Sequence, residues 1–230
     1  MCSGPILGKL LTFTIPLIFS GILQLLFNAA DVIVVGRFAG SQSLAAVGST
    51  TALINLMINI FIGLSVGVNV IVARYYGAKR EKDVQDTIHT AMALSIVSGL
   101  FLIIVGQLLS RPMLELMGTP DDVIDKSTIY MRIIFIGMPA NMIYNFGSAI
   151  LRAVGDTKRP LYFLTAAGVI NVVLNLFFVI MFRMDVAGVA LATAISQAIS
   201  AFLVILCLTP LVKLLAGGCL YRILSAITQP

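Results

Sequence analysis

Six long apolar stretches dominate the chain, and short polar segments separate them. Each has roughly 20 residues or more, the length that an α-helix needs to cross about 30 Å of hydrocarbon. Membrane barrels instead alternate apolar and polar residues over roughly ten positions. We therefore predict an all-α integral membrane bundle of about six transmembrane helices, at residues 10–36, 44–73, 87–109, 126–151, 160–182 and 187–210.

Some residues inside these predicted spans affect helix geometry. Pro16 lies in the first span and Pro139 in the fourth. Because proline lacks a backbone N–H and its ring clashes with the preceding turn, each predicts a kink or local loosening. Small residues four positions apart predict close helix packing. The pairs are Gly63 with Gly67 and Gly188 with Ala192.

The first span carries a polar stripe on one helical face. Gln24, Asn28 and Asp31 follow one another at intervals of four and three residues, so they share one side of a helix. Asp31 is the only acidic residue of the ten that we place inside a span. Since a lone carboxylate in hydrocarbon needs a partner, a proton or a cation, Asp31 is a candidate for exchanging protons or ions.

Similar spacing in four other spans predicts a shared polar interior. The residues are Asn55, Asn59 and Asn69; Asn141, Asn145 and Ser148; Asn171 and Asn175; and Thr193, Gln197 and Ser200. Polar faces that converge inside a bundle are suited to line a water-filled or ion-binding cavity. The alternative for any one of them is an ordinary hydrogen bond to a neighbouring helix.

The composition supports lipid as the solvent of this protein. Apolar residues make up 59% of the chain and charged residues 11%, against roughly 45–50% and about 25% in soluble domains. The first apolar stretch is too long for the core of a signal peptide, so we expect no cleavable leader. The cysteines, Cys2, Cys207 and Cys219, lack metal-site spacing, and we expect no structural disulfide.

Basic residues are divided unequally between the two sets of loops. Ten Lys and Arg residues fall on the side that would hold both termini, and five fall on the other side. By the positive-inside rule the richer side is cytoplasmic, in a bacterial or archaeal cytoplasmic membrane. Because these residues lie in loops beside apolar spans, the net charge of +5 does not indicate a nucleic-acid partner.

The chain has none of the sequence signatures that would indicate an enzyme. We find no phosphate-binding glycine loop, no metal-ligand cluster and no nucleophile beside a plausible base. We therefore expect neither catalysis nor a cofactor. Without a site for ATP, active transport would have to be driven by an ion or by another subunit.

Four segments, in their order and spacing, carry a resemblance to a known transporter family. They are IPLIFSGILQLLFNAADVIVVGRFAG followed by LAAVG, ARYYGAKREKDV, LRAVGDTKRP, and NVVLNLFFV followed by GVALATAISQ. The chain resembles the multidrug and toxic compound extrusion (MATE) family over about residues 10–208. Members of that family are secondary transporters of two six-helix lobes that export cationic or amphipathic drugs in exchange for sodium or protons.

The resemblance implies that this chain is the amino-terminal lobe. Residues 1–210 would form the lobe, and residues 211–230 a cytoplasmic tail, in the form of a short surface helix, or the remnant of a truncation. The second lobe would be the missing carboxy-terminal half or a second copy of the chain. The other expected partners are drug-like small molecules and membrane lipid.

The resemblance also implies an ion site and a substrate cavity. The ion- or proton-binding positions, which are also the possible sodium ligands, fall on Asp31, Asn171, Asn175 and Thr193. The cavity positions are Gln24, Asn28, Tyr130, Asn145 and Ser148. The family's Asn-x-x-x-Asp pair ends in asparagine here, at Asn175, so the site has one negative charge fewer and the choice between sodium and protons stays open.

We therefore predict one lobe of an ion-coupled antiporter, in which cation binding at Asp31 rearranges the first helix near Pro16 and changes the affinity of the drug cavity. Two alternatives remain. One is a flippase for lipid-linked saccharides of the same superfamily. Such proteins tend to place basic residues inside the cavity, whereas no Lys or Arg lies deep in a predicted span here. The other is an inactive truncated membrane module.

Overall fold

The computed structural model describes residues 6–215 of the chain as seven helices and two π-helical turns. The helices are α1 (Ile6–Val34), α2 (Ser41–Gly77), α3 (Glu81–Leu116), α4 (Asp121–Ile136), α5 (Met138–Ala153), α6 (Lys158–Leu176) and α7 (Asp185–Leu215). A first π turn (Val35–Ala39) follows α1, and a second (Phe177–Met181) follows α6. The described residues contain no strand, so the predicted all-α class is confirmed.

The helices are long and apolar enough for a multi-pass membrane protein. Five spans meet the length and hydropathy needed to cross a bilayer, and there are six if α4 and α5 count as one bent span. Several helices extend beyond the predicted apolar stretches into polar residues at their ends. Helix α3 begins at Glu81, where Glu81 and Asp83 lie in its first turn and favour the helix N-terminus.

The fourth predicted span is broken near its middle. Helices α4 and α5 meet at Gly137 with a bend of 48°, which confirms the break predicted from Pro139. Pro139 cannot donate a hydrogen bond to the carbonyl of Phe135, and its ring disfavours a straight helix there. In contrast, α1 continues as one helix through Pro16.

Glycines allow α3 and α7 to approach α4 and α5 closely. A Cβ atom on Gly99 would lie 2.4 Å from the Cα atom of Pro139, and one on Gly106 would lie 2.0 Å from the ring of Phe135. A Cβ atom on Gly147 would lie 2.2 Å from Val204. These helices therefore pack at distances that only glycine permits.

The predicted small-residue pairs divide between close packing and open space. A Cβ atom on Gly188 would lie 3.0 Å from Phe178, and Ala192 is fully buried, so this pair packs as expected. The prediction was wrong for Gly63 and Gly67 within this lobe, because no atom lies within 4 Å of a Cβ atom at either position. Their face of α2 is exposed, and spacing alone does not reveal which face meets a neighbour.

The bundle is held by an apolar core around α5 and by polar contacts near the ends of the helices. Phe135, Phe146 and Met142 are fully buried in the core. At one end, Lys126 of α4 contacts Asp185 of α7 at 3.4 Å. Helix α7 continues past residue 210 to Leu215, and the rest of the predicted tail lies outside the described residues.

Candidate functional site

A cavity of about 450 Å³ lies between six of the helices, all except α3. Its lining combines apolar side chains with many of the polar residues predicted from the sequence. The predicted residues that line it are Gln24, Asn28, Asp31, Asn55, Tyr130, Asn141, Asn145, Asn171, Thr193, Gln197 and Ser200. Among the described lining residues, Asp31 is the only one with a charged side chain, and no Lys or Arg is present.

Asp31 is held against α6 by a hydrogen bond from Asn175. The Asn175 Nδ2 atom donates to Asp31 Oδ1 at 2.5 Å. This contact depends on a close approach of α1 to α6, because the ring of Phe27 occupies the space where a Cβ atom of Gly168 would lie. Phe27 is one turn before Asp31, and Gly168 is two turns before Asn175, so the same helix contact positions both polar side chains.

Asn171 joins this contact to α7. The Asn175 Nδ2 atom also donates to Asn171 Oδ1 at 3.1 Å. The Asn171 Nδ2 atom in turn donates to Thr193 Oγ1 at 3.2 Å and to Ser196 Oγ at 3.4 Å. The four predicted ion-site residues are therefore in one connected network of hydrogen bonds across α1, α6 and α7.

One oxygen of this network has no hydrogen-bond partner. Asn175 is fully buried, and its Oδ1 atom accepts no hydrogen bond. A buried amide oxygen is almost always paired, so an unpaired one next to a carboxylate is suited to bind a cation. Carboxylate, amide and hydroxyl oxygens are the ligands that hard cations prefer, so this donor set fits sodium.

An apolar cluster borders the site on the side of the π turns. Val34 and Val35 follow Asp31 by about one turn and pack in a cluster with Val47, Val179 and others. The first π turn begins four residues after Asp31, and the second begins two residues after Asn175. Turns of this type often occur near functional sites, and here one follows each of the two residues in contact.

The other walls of the cavity are polar without charge. On α5, Asn145 Nδ2 donates to the backbone carbonyl oxygen and side-chain Oδ1 of Asn141, at 2.9 and 2.8 Å. On α1, Gln24 and Asn28 are exposed. The predicted cavity residues Gln24, Asn28, Tyr130 and Asn145 thus surround the same space as Asp31.

Four of the predicted polar residues lie outside the cavity lining, and one of them is Asn175, which is buried and contacts Asp31. Ser148 is fully buried, because the end of α5 packs tightly against α7 at Gly147. Asn69 donates to the backbone carbonyl oxygen of Ala149 at 2.6 Å, which is an ordinary bond between helices. Asn59 is exposed and donates to the backbone of Asn55 at 2.7 Å. The structure does not bring Ser148 to the cavity, although the sequence analysis placed it there.

Sequence reasoning missed three polar residues that line the cavity, of which Thr51 lies one turn before the predicted Asn55. Ser196 and Tyr144 both belong to the lining, and Tyr144 also donates to the backbone carbonyl oxygen of Pro160 at 3.3 Å. Each follows a predicted residue by three positions, Ser196 after Thr193 and Tyr144 after Asn141. The helical spacing of three, applied as consistently as the spacing of four, would have found both residues.

Comparison with known proteins identifies the family to which this site belongs. The sequence matches the MatE family over residues 16–177. The probable multidrug resistance protein YoeA of Bacillus subtilis is 35% identical over 198 residues, which are 84% of this chain and 42% of that protein. The FAD transporter of Shewanella oneidensis is 28% identical over 201 residues, which are 85% of this chain and 44% of that protein.

The fold leads to the same family. A crystal structure of MATE in the bent conformation matches with a TM-score of 0.80 and 26% identity, over 85% of this chain and 44% of that one. The chain thus spans less than half the length of these relatives. The sequence match, the relatives and the shared fold together place this chain in the multidrug and toxic compound extrusion (MatE) family, of whose members it spans the amino-terminal half.

Proposed function

We propose that this chain is one lobe of an ion-coupled transporter that exports cationic or amphipathic drug-like compounds, with Asp31 as its sodium- or proton-binding carboxylate. One observation carries the proposal: Asp31 is the only charged side chain among the described lining residues, and it is in contact with a buried asparagine whose Oδ1 atom is unpaired. The family relatives named for multidrug resistance support the export of drug-like compounds.

The charge of the cavity supports exchange of ion for substrate. While Asp31 is ionised, the cavity has one negative charge that attracts a cationic compound into a space of low polarity. A proton or sodium ion bound at Asp31 neutralises that charge and weakens the attraction. Because linkage between two binding sites is reciprocal, a bound cationic compound weakens ion binding to the same degree. This mutual exclusion is the thermodynamic requirement for antiport.

The cavity wall supports a second lobe as partner. Gln24 and Asn28 on α1 and Asn55 on α2 are exposed, although polar side chains in a membrane avoid the lipid tails. The chain also spans only 42% of YoeA. We propose that a second six-helix lobe covers this face, as a separate half or as a second copy of the chain. The absence of Lys and Arg from the described lining does not favour a flippase for phosphate-bearing lipids.

The orientation of the lobe is part of this proposal. The basic asymmetry of the loops supports a cytoplasmic location of both termini in a bacterial or archaeal inner membrane. Reporter fusions after Lys82 and Lys158 should then report a cytoplasmic location, and a fusion after Asp122 an external one. The opposite pattern would contradict the proposed orientation.

The decisive experiment compares ion-driven export by the wild type and by Asp31→Asn. Both are fused to a matching second lobe and expressed at equal levels in membrane vesicles, and efflux of a fluorescent cationic dye is followed after a sodium or proton gradient is imposed. We expect Asp31→Asn to lose gradient dependence. Asp125→Asn is the matched control, because Asp125 is exposed in α4 and outside the cavity.

Equal and fully coupled export by the wild type and Asp31→Asn would refute the proposed role of Asp31. Export that a proton gradient drives and a sodium gradient does not, or the reverse, would identify the coupling ion.

A further inference from the structure

The polar face of α5 continues beyond the cavity. Asn141 and Asn145 line the cavity, and Ser148 and Arg152 follow them at intervals of three and four residues. At about 100° per residue, the four side chains fall within roughly 60° of arc. Helix α5 ends at Ala153, so this face leads from the cavity to the end of the helix, and Arg152 lies there, outside the cavity lining.

Arg152 differs from the other arginines of the lobe. It is half-buried, whereas every other arginine in the described part of the chain is exposed. Among the described side chains it forms no ion pair and no hydrogen bond. The acidic residue nearest to it in the sequence, Asp156, is engaged with Arg159 at 3.1 Å. A half-buried guanidinium group, which has five N–H donors, needs an acceptor.

Two hydroxyl groups precede this arginine on the same face. Ser148, one turn earlier, is fully buried, and its Oγ atom has no hydrogen-bond partner. Because long side chains of a helix lean toward its amino terminus, Arg152 extends over Ser148. Its charge also acts on the hydroxyl group of Tyr144, a further turn back. That hydroxyl group donates to the carbonyl oxygen of Pro160 in α6 at 3.3 Å, which is a long bond that another acceptor could replace.

The three side chains together supply several hydrogen-bond donors and one positive charge. The planar fork of a guanidinium group matches two oxygens of a phosphate group, and each hydroxyl group can donate to another oxygen. A carboxylate has only two oxygens for the same donors. The end of a membrane-spanning helix is also close to the phosphates of the lipid, and basic groups between helices bind lipid head groups there.

We propose that Arg152, Ser148 and Tyr144 bind a phosphate group at the end of α5, either from a phospholipid head group or from free phosphate. A phosphate in this place would connect the end of α5 with the first turn of α6, which Tyr144 already contacts. The site is independent of the proposed ion coupling, because it does not involve Asp31.

Binding is measured on the full chain in micelles of an uncharged detergent that contains no phosphate. Inorganic phosphate is titrated against chloride at constant ionic strength. In parallel, phosphatidylglycerol is compared with a galactolipid of the same chain length, which has no phosphate. The melting temperature reports binding, and broadening of the ³¹P resonance reports direct contact. Stabilisation by inorganic phosphate would identify free phosphate as a ligand, and stabilisation by phosphatidylglycerol alone would identify the lipid head group.

Substitutions separate a binding role from a structural one. Arg152→Gln should weaken phosphate binding about tenfold, because it removes charge-assisted hydrogen bonds. Arg152→Lys keeps the charge and loses the fork, so it should weaken binding by a smaller factor. Ser148→Ala should also weaken binding, but it should not lower stability without phosphate, because it removes a buried hydroxyl group that has no partner. A loss of stability in Ser148→Ala that is equal with and without phosphate would refute its part in the site.

The matched control is Arg74→Gln. Arg74 is exposed near the end of α2, and its substitution removes the same charge on the same predicted side of the membrane. It should leave the phosphate affinity unchanged.

Two other results would refute the site. Equal weakening by Arg74→Gln and Arg152→Gln would show a general attraction of anions to the basic loops. Equal stabilisation by phosphatidylglycerol and the galactolipid, without an effect of inorganic phosphate, would mean that water solvates Arg152. Neither result concerns Asp31, so the proposed function would stand.

Discussion

Helices α5 and α1 both line the cavity, but their surroundings differ. Phe146 and Met142 of α5 are fully buried between neighbouring helices, and glycines on α3 and α5 allow contact at backbone distance. Most of the large apolar side chains of α1 are exposed, Leu25 at 70%, and its main contact within the lobe is with α6. The bundle thus has a firmly packed wall and a weakly held wall, and the ionisable residue lies on the second.

This difference separates the residues that stabilise the fold from those proposed to sense the ion. If the carboxylate were on a tightly packed helix, binding of a proton or cation would change its interactions without moving that helix. On α1, Asp31 is tied to the bundle through Asn175 and the approach of Phe27 to Gly168, so binding of a proton or cation acts on a helix with few other contacts in the lobe.

The largest expected effect comes from truncating an aromatic residue of the packed wall. Phe146→Ala should lower the free energy of unfolding by about 3 kcal/mol, because it leaves a cavity among fully buried neighbours. Leu25→Ala on α1 is the matched truncation at an exposed position and should change stability by less than about 0.5 kcal/mol. Equilibrium unfolding of both variants in mixed micelles measures the difference. Similar losses would contradict the contrast between the two walls.

A side chain added at the contact of α3 with α5 should have a somewhat smaller effect. Gly99→Val should destabilise the lobe by about 2 kcal/mol, because the new Cβ atom would meet the backbone of Pro139, which cannot rotate away. Gly63→Val is the control, since nothing lies within 4 Å of its Cβ position. Thermal unfolding measures both. If Gly63→Val were equally destabilising in the isolated chain, the exposed face of α2 would have an unrecognised contact.

On the weakly held wall, a second carboxylate should strengthen cation binding. Asn175→Asp places a negative charge beside Asp31, and attraction at that distance should tighten sodium binding about tenfold, or about 1.4 kcal/mol. The sodium concentration that half-saturates thermal stabilisation gives the affinity. Asn145→Asp adds the same charge on α5, outside the hydrogen-bond network of Asp31. A sodium effect of equal size in that variant would show that the cavity attracts cations without a specific site.

The smallest expected effect is that of Asp31→Asn on stability. This substitution removes a charge from low-polarity surroundings and keeps the shape of the side chain. The free energy of unfolding should therefore change by less than about 1 kcal/mol, and we expect the change to be an increase. Unfolding in the absence of sodium measures it. A loss of several kcal/mol would mean that the carboxylate is a structural contact, and the division between the two walls would fail.

Local pattern was enough to predict the spans, the break and most of the cavity residues. Apolar stretches of membrane length produced the helices, and the missing N–H of Pro139 produced the bend beside Gly137. The intervals of three and four residues placed Asp31, Asn171 and Thr193 on inward faces, and the structure brings them together. The same rule did not distinguish Ser148 from Tyr144, because both belong to one polar face of α5 and the packing of α7 decides which of them meets the cavity.

The sequence by itself determined which segments enter the membrane, because transfer of a helix into lipid depends on its own length and polarity. It also limited the candidates for an ion-binding carboxylate to Asp31, since this is the only acidic residue that we place inside a predicted span. Only the tertiary structure decided which glycines mark a contact, how the amide groups of Asn171 and Asn175 are oriented, and that Ser196 completes their network. Those features depend on distances between residues remote in sequence, and hydropathy and spacing contain no information about such distances.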